Sequence, residues 1–413
     1  MTEAAGGFIG YDDARARALQ PFALTRPASE LRAGALLVRE RWSHVTRRSC
    51  AGFVSAPHLR TFEEGDAPPF ATGVIVPAAI TPVAAGTIVV NNRCAPALDV
   101  RLAPDAAAWR CEGRVAAVRL VDALPAERLH DGSLELETLV PNGATVVTIA
   151  GWWTDDVWDL IGQLQPMLAH DIPILGRDAD APPAHLTVLG EHACFVERGA
   201  YVEPMVLADT TLGPIHIASG ARISAFTRLV GPCAIGRDTL IGGGRVAGCS
   251  IGNQCRVHGE ISASIMIGHA NKAHDGFVGH SIIGRWSNLG AGTTTSNLKN
   301  SYGAVSMWTE RGESPTTLQF LGTMFGDHAK TAIGTRLTTG TVIGAGANVF
   351  GSTMPPKFVP PFSWGDVPPY DVFAAEKFLE VAERVMARRS VTLSSGQRTM
   401  LGAAWALRAT RRP

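Results

Sequence analysis

From Ile217 an aliphatic residue returns at every sixth position: Ile217, Ile223, Leu229, Ile235 and Ile241. Helices repeat every 3.6 residues and strands every 2, so neither produces this interval. A period of six suits a solenoid in which a short strand and a turn make one side of a coil, three sides close it, and the aliphatic residue points inward. The spacing recurs at Ile251 and Val257, Ile261 and Ile267, Ile283 and Leu289, and Ile343 and Val349. Glycine follows the aliphatic position at Gly236, Gly242, Gly252, Gly268, Gly284, Gly290, Gly334 and Gly344, where a sharp corner needs a small residue. The pattern predicts a parallel β-helix over residues 186–353. It lapses between about Lys299 and Leu318, where polar residues, Gly and Pro replace the phased aliphatics. A loop projecting from the coil is expected there.

The first 180 residues show no such period. Apolar runs at 73–80 (GVIVPAAI) and 86–93 (GTIVVNNR) end in polar or Pro-rich punctuation, as buried strands of an α/β sheet do. Residues 28–42 (ASELRAGALLVRERW) read as an amphipathic helix with Leu31, Ala35 and Val38 on one side. The segment 178–183 (DADAPP) marks a boundary. The Pro-rich passage 354–370 is expected to end the solenoid, and 373–389 (FAAEKFLEVAERVMARR) to form a helix capping the last coil. The predicted organisation is α/β plus β-solenoid: an α/β domain over 1–180, the β-helix over 186–353, and a Pro-rich arm with a C-terminal helical segment over 354–413.

Composition narrows the function. A chain of 413 residues exceeds one ordinary core. Thirty-seven Lys and Arg balance thirty-seven Asp and Glu, so no long-range field recruits nucleic acid or an anionic membrane, and neither partner is expected. Seven scattered cysteines without a C-x-x-C pair point to neither a disulfide framework nor a zinc site. With no basic-then-apolar start and no run of 18 apolar residues, a cytoplasmic location is expected.

The densest polar stretch of the repeat region holds His269, His274 and His280 with Lys272 and Asp275. Imidazole titrates near neutrality and suits a general base. Such groups also satisfy corner hydrogen bonds between stacked coils.

Residues 272–292, KAHDGFVGHSIIGRWSNLGAG, resemble the acetyltransferase signature of the GlmU enzymes that make UDP-N-acetylglucosamine: A-G-H, six variable residues, I-G, then N-I-G-A-G. By that resemblance His274 is the general base and Asn288 helps hold sugar and acetyl donor, while Phe277 stands where the family has a substrate-binding tyrosine. A closer resemblance is to the GlmU-like sugar nucleotidyltransferases, carried by residues 23–42, 89–93, 157–164, 271–281, 288–303, 322–351 and 362–365. It implies an abbreviated nucleotidyltransferase-like domain, a left-handed coil, acetyl-CoA or another acyl-CoA as co-substrate, a sugar phosphate or nucleotide sugar as acceptor, and a homotrimer with sites between neighbouring coils. The repeat alone, by the usual crossover rule, would predict the other hand. Candidate substrate ligands are Lys272, Asp275, Asn288, Asn297, Lys299, Asp327, His328 and Lys330, with Arg336 a further cation. The run Gly290, Ala291 and Gly292 is the candidate for meeting oxyanion charge with backbone N–H groups.

Nucleotidyl transfer needs a Gly-rich phosphate loop, a cation cluster and an aspartate holding Mg²⁺. The G-x-G-T-R loop of the resembling families is absent from residues 6–13, the lysine after proline is Ala28, and the strand-end G-D is replaced by Asn91-Asn92-Arg93. Arg26 and Arg32 remain as candidates for nucleotide phosphate. Asp12 and Asp13 would hold Mg²⁺ only in an active N-terminal domain. The expectation is a domain that has lost nucleotidyl transfer, or that binds a nucleotide sugar without cleaving it, beside a CoA-dependent acyltransferase. The alternatives are a sugar-1-phosphate nucleotidyltransferase with a trimerising coil, and a catalytically inactive sugar-nucleotide-binding protein.

Overall fold

The computed structural model describes residues 7–65, 67–71 and 82–410. The strand expected at 73–80 lies outside them. Contacts divide the chain into one unit of Met1–Asp159 with Ser394–Ala404 and a second of Leu160–Leu393 with Trp405–Pro413.

The first unit is built on a six-stranded mixed sheet in the order Cys50–Val54, Phe8–Tyr11, Ile88–Asn91, Arg114–Arg119, Ala108–Cys111, Val146–Thr148. Phe8–Tyr11 pairs parallel with both of its neighbours, and Ile88–Asn91 pairs antiparallel with Arg114–Arg119. The run at 86–93 is thus the buried strand it was expected to be, with Ile88, Val89 and Val90 out of solvent. The helix expected over 28–42 is not one helix. Gly34, at φ 62°, turns the chain so that Arg32–Ala33 pairs antiparallel with Leu36–Leu37, and the helix begins only at Val38 and runs to Thr46. Leu31, Ala35 and Val38 are buried all the same. Apolar spacing reported burial correctly but assigned it to the wrong element, because one residue in the left-handed region breaks a helix locally.

The second unit is a parallel β-helix from Thr187 to Gly365. Ile217, Ile235, Ile251, Met266, Ile283, Phe325, Ile343 and Val359 stack in register along one inward row. Leu229, Val246, Ile261 and Val278 form another. All twelve are buried in one continuous core, each worth roughly 1.5–3 kcal/mol of burial. Between Asn297 and Leu321 the chain leaves the coil for a hairpin, Ser306–Thr309 with Gly312–Pro315, at the place expected for the loop. Trp308 stacks on Phe358 at 3.6 Å, and Lys357 pairs with Glu313 at 2.9 Å, so the excursion is pinned.

Two expectations about the coil's end need correction. Parallel pairing continues past residue 353, through Phe358–Val359 and Ser363–Gly365. The prolines permit this because the preceding coil needs carbonyls: Val342 and Gly344 donate to Lys357 and Val359. The edge is closed by an antiparallel strand, Asp371–Val372. The helix, Ala375–Ala387, does not cap it and lies along the coil: Phe378 packs on Phe362 and His328, whereas Val385 and the arginines beyond it reach the level of Arg256. Among the described residues no helix is long and apolar enough to cross a membrane.

Candidate functional site

The corner carrying His274 is set apart by an insertion. Val257 pairs with Lys272 and Glu260 with Phe277, so five residue steps replace three and the chain bulges by two residues. Gly276 makes the bulge possible, with φ 128° and a hypothetical Cβ 2.3 Å from the Thr293 carbonyl oxygen. His274 and Asp275 are thereby exposed. The His274 ring makes no hydrogen bond among the described residues. Asp275 does not orient it. Its carboxylate lies 3.1 Å from Nε2 of His258, whose Nδ1 donates to the Gly242 carbonyl at 2.9 Å.

Lys272 is a correction. As a substrate ligand it would have to be reachable, yet it occupies an inward position of the coil, fully buried. Its ammonium donates to the carbonyls of His258 (3.3 Å) and His274, and burial, opposed by Asp275, lowers its pKa to about 8. Lys272 therefore shapes the bulge. The neighbouring coil fixes the other side: Gly292 N–H donates to Asp275 O at 2.8 Å, and Gly290 N–H to Thr331 O at 3.1 Å. Of the three candidate oxyanion donors, only the Ala291 N–H is left unengaged among the described residues.

Asn288 and Lys330 face a different part of the coil. Arg256, Asn271, Asn288 and Lys330 follow one another in register on an outward row, and Asn271 Nδ2 donates to Asn288 Oδ1 at 2.7 Å. With His269, Trp286 and Ser287, and with Val385, Arg388 and Arg389 from the end of the helix, they line a pocket of about 440 Å³. Lys330 Nζ donates to the His328 carbonyl at 3.1 Å, and burial lowers its pKa to about 8. His274 is not in the lining.

Asp327 and His328, expected as ligands, are each only 2% exposed. The Asp327 carboxylate accepts the Arg285 N–H at 2.8 Å. The His328 ring lies 6.5 Å from Trp286, which stacks on His269 at 4.2 Å. Both belong to the corner that binds one coil to the next. Asn297 and Lys299 anchor the excursion: Asn297 Nδ2 meets His280 Nδ1 at 2.9 Å, and Lys299 Nζ donates to the Ala304 carbonyl at 2.5 Å. Arg336 donates to the Ser352 carbonyl at 3.2 Å. Sequence reasoning missed Arg256, Arg388 and Arg389. The last two stood in plain view at the end of the expected helix, but nothing local said which coil they would reach.

In the first unit the expected phosphate and metal groups are closed off. Asp12 is 1% exposed, and its oxygens accept from Ala28 N–H (3.0 Å), Ser55 Oγ (2.5 Å) and Asn92 Nδ2 (2.7 Å). Burial raises its pKa. Asp13 is held by Arg93 at 2.8 Å, by Asn91 and by Ala16 N–H, and although burial pushes its pKa up, these partners outweigh that and keep it low. Neither carboxylate offers a free oxygen to Mg²⁺. Arg26 is buried and paired with Glu64 at 2.9 Å, and buried Arg32 donates to the Ala35 carbonyl. These residues fit internal support and do not fit a triphosphate with its metal.

Residues 8–180 match the sugar nucleotidyl transferase family. Such a domain followed by a hexapeptide coil is the domain order of the GlmU-like proteins, which this chain resembles. Among solved structures, a hexapeptide transferase family protein from Anaplasma phagocytophilum is 15% identical, with 50% of this chain and 98% of that chain covered and a TM-score of 0.28. A mutant of AntD, an N-acyltransferase from Bacillus cereus in complex with dTDP-4-amino-4,6-dideoxyglucose and coenzyme A, is 14% identical, covering 49% of this chain and 92% of its own, with a TM-score of 0.22. A second AntD mutant, in complex with dTDP and coenzyme A, is 16% identical, covering 49% and 91%, with a TM-score of 0.20. No curated protein matches the chain.

Proposed function

We propose that the coil domain transfers an acyl group, acetyl in the simplest case, from coenzyme A to an amino or hydroxyl group of a sugar phosphate or nucleotide sugar, in a homotrimer, with His274 as general base. The observation that carries this reading is the bulged corner. It presents an imidazole free of partners, and the adjoining coil presents at the Ala291 N–H a donor equally free. Groups that structure does not consume are available to chemistry.

In the reaction so read, an imidazole nitrogen takes a proton from the acceptor as its nitrogen or oxygen attacks the thioester carbonyl. The carbonyl oxygen gains the negative charge, and the Ala291 N–H meets it. Collapse of the tetrahedral species breaks the carbon–sulfur bond, and the imidazolium returns its proton to the departing thiolate. No acyl-enzyme forms and no metal is called on. Lys272 takes part indirectly, by holding the His274 carbonyl.

The nucleotidyl transfer alternative finds no support in Asp12, Asp13, Arg26 or Arg32, all engaged internally. A paired assay discriminates the two. The full chain with acyl-CoA and a panel of amino-sugar phosphates is expected to release free thiol. With a nucleoside triphosphate, a sugar 1-phosphate and Mg²⁺ it is expected to release no pyrophosphate. Pyrophosphate without thiol would reverse the reading.

A further inference from the structure

The pocket beneath the end of helix Ala375–Ala387 has a charge balance that the His274 corner does not explain. Arg256, Lys330, Arg388 and Arg389 converge on it, and among the described residues no Asp or Glu is in its lining. Like charges gathered around a half-open pocket repel by amounts that burial increases. The repulsion shows at Arg389, whose pKa burial lowers and Arg256 lowers further. Burial alone lowers that of Lys330, to about 8. Arg256 donates to the main-chain carbonyls of Asp238 and Cys255, and Lys330 to that of His328, so these partners carry only partial charge and an anion from solution would offset the repulsion. Asn271 and Asn288 add carboxamide groups to the same wall, and their mutual hydrogen bond fixes both.

Size separates an organic ligand from a lone ion. The volume, about 440 Å³, falls in the range of roughly 300–1,000 Å³ typical of small-molecule sites. Placement of the cations on two walls, Arg256 and Lys330 on the coil and Arg388 and Arg389 on the helix end, suits a group with charge at both ends. The guanidinium forks suit phosphate oxygens. We infer that this pocket binds the diphosphate group of a nucleotide or coenzyme, gripped between the coil face and the C-terminal arginines. Because His274 lies outside the lining, the pocket and the proposed reaction fail separately.

Calorimetric titration of the full chain with inorganic pyrophosphate in phosphate-free, low-salt buffer tests the inference, with orthophosphate, UDP and coenzyme A as parallel arms. Pyrophosphate is expected to bind with one site per chain, and orthophosphate at least tenfold more weakly. One of UDP and coenzyme A is expected to bind more tightly than pyrophosphate, which identifies the carrier. The double variant Arg388→Ala, Arg389→Ala is expected to lose at least tenfold in pyrophosphate affinity at unchanged melting temperature, and His274→Ala is expected to bind as wild type. The inference is overturned by the absence of pyrophosphate binding, by equal affinity for orthophosphate, by weaker binding of both organic arms, or by unchanged affinity in the double variant. Should the double variant melt early, Lys330→Gln is the second test, with the same tenfold loss expected.

Discussion

The ammonium of Lys272, buried inside the coil, donates a hydrogen bond to the main-chain carbonyl of His274. An inward position of a hexapeptide coil normally holds an aliphatic residue, as Val257 does one coil earlier. The lysine gives up that burial and instead holds two carbonyls at the bulge. Lys272→Met should therefore leave the fold in place but let the His274 main chain shift. A loss of about tenfold in kcat at nearly constant KM is expected, measured by thiol release, since small misplacements of a catalytic group cost rate.

Lys330 gives the pocket a pH dependence. Its neighbours across the pocket are Arg256, His269, Arg388 and Arg389, and burial has lowered its pKa to about 8. The charged form is the one that attracts an anion, so affinity is present below pH 8 and falls as pH rises through it. Lys330→Arg keeps its charge over the whole range. The difference in pyrophosphate affinity between the two proteins, measured from pH 7 to 9.5, isolates the lysine and should widen by several-fold.

In the first unit the buried Asp12 supports Ala28, Ser55 and Asn92. Removing a buried carboxylate that satisfies three donors costs about 3 kcal/mol. Asp12→Ala is expected to lower the urea midpoint accordingly, and millimolar Mg²⁺ to leave the wild-type melting temperature unchanged. Metal-induced stabilisation lost in Asp12→Ala would instead mark a cation site.

Two glycines of the bulged corner should respond differently. A Cβ on Gly276 would fall 2.3 Å from the Thr293 carbonyl oxygen, whereas one on Gly292 would meet nothing closer than Gly334 Cα at 3.6 Å. Both have positive φ, which costs roughly 1–2 kcal/mol. Gly292→Ala should show about that loss, and Gly276→Ala a larger one together with lost transfer, in urea unfolding and thiol release.

The coil was legible because its rule is local: Ile217, Ile223, Leu229, Ile235 and Ile241 are all fully buried. What escaped was set by contacts distant in sequence. Lys272 and His274 read as one polar cluster, and only stacking on Val257 shows that the first points in. Asp327 and His328 looked like ligands because polar corner residues and substrate ligands draw on the same amino acids; their burial distinguishes them. Arg388 and Arg389 were visible, but a helix that runs back along the coil brings them to Arg256, a pairing no periodicity encodes. Asp12 and Asp13 kept the residue type of a metal site and lost the vacancy, which depends on Asn92 and Arg93 some eighty positions away.

In the proposed reaction His274 removes the proton from the acceptor. The most direct test of that step is the rate of thiol release from acyl-CoA, at saturating acceptor, by wild type and by His274→Ala. The predicted result is a fall in kcat of about 10²–10⁴-fold, with pyrophosphate affinity and melting temperature unchanged. Equal rates in the two proteins would contradict it.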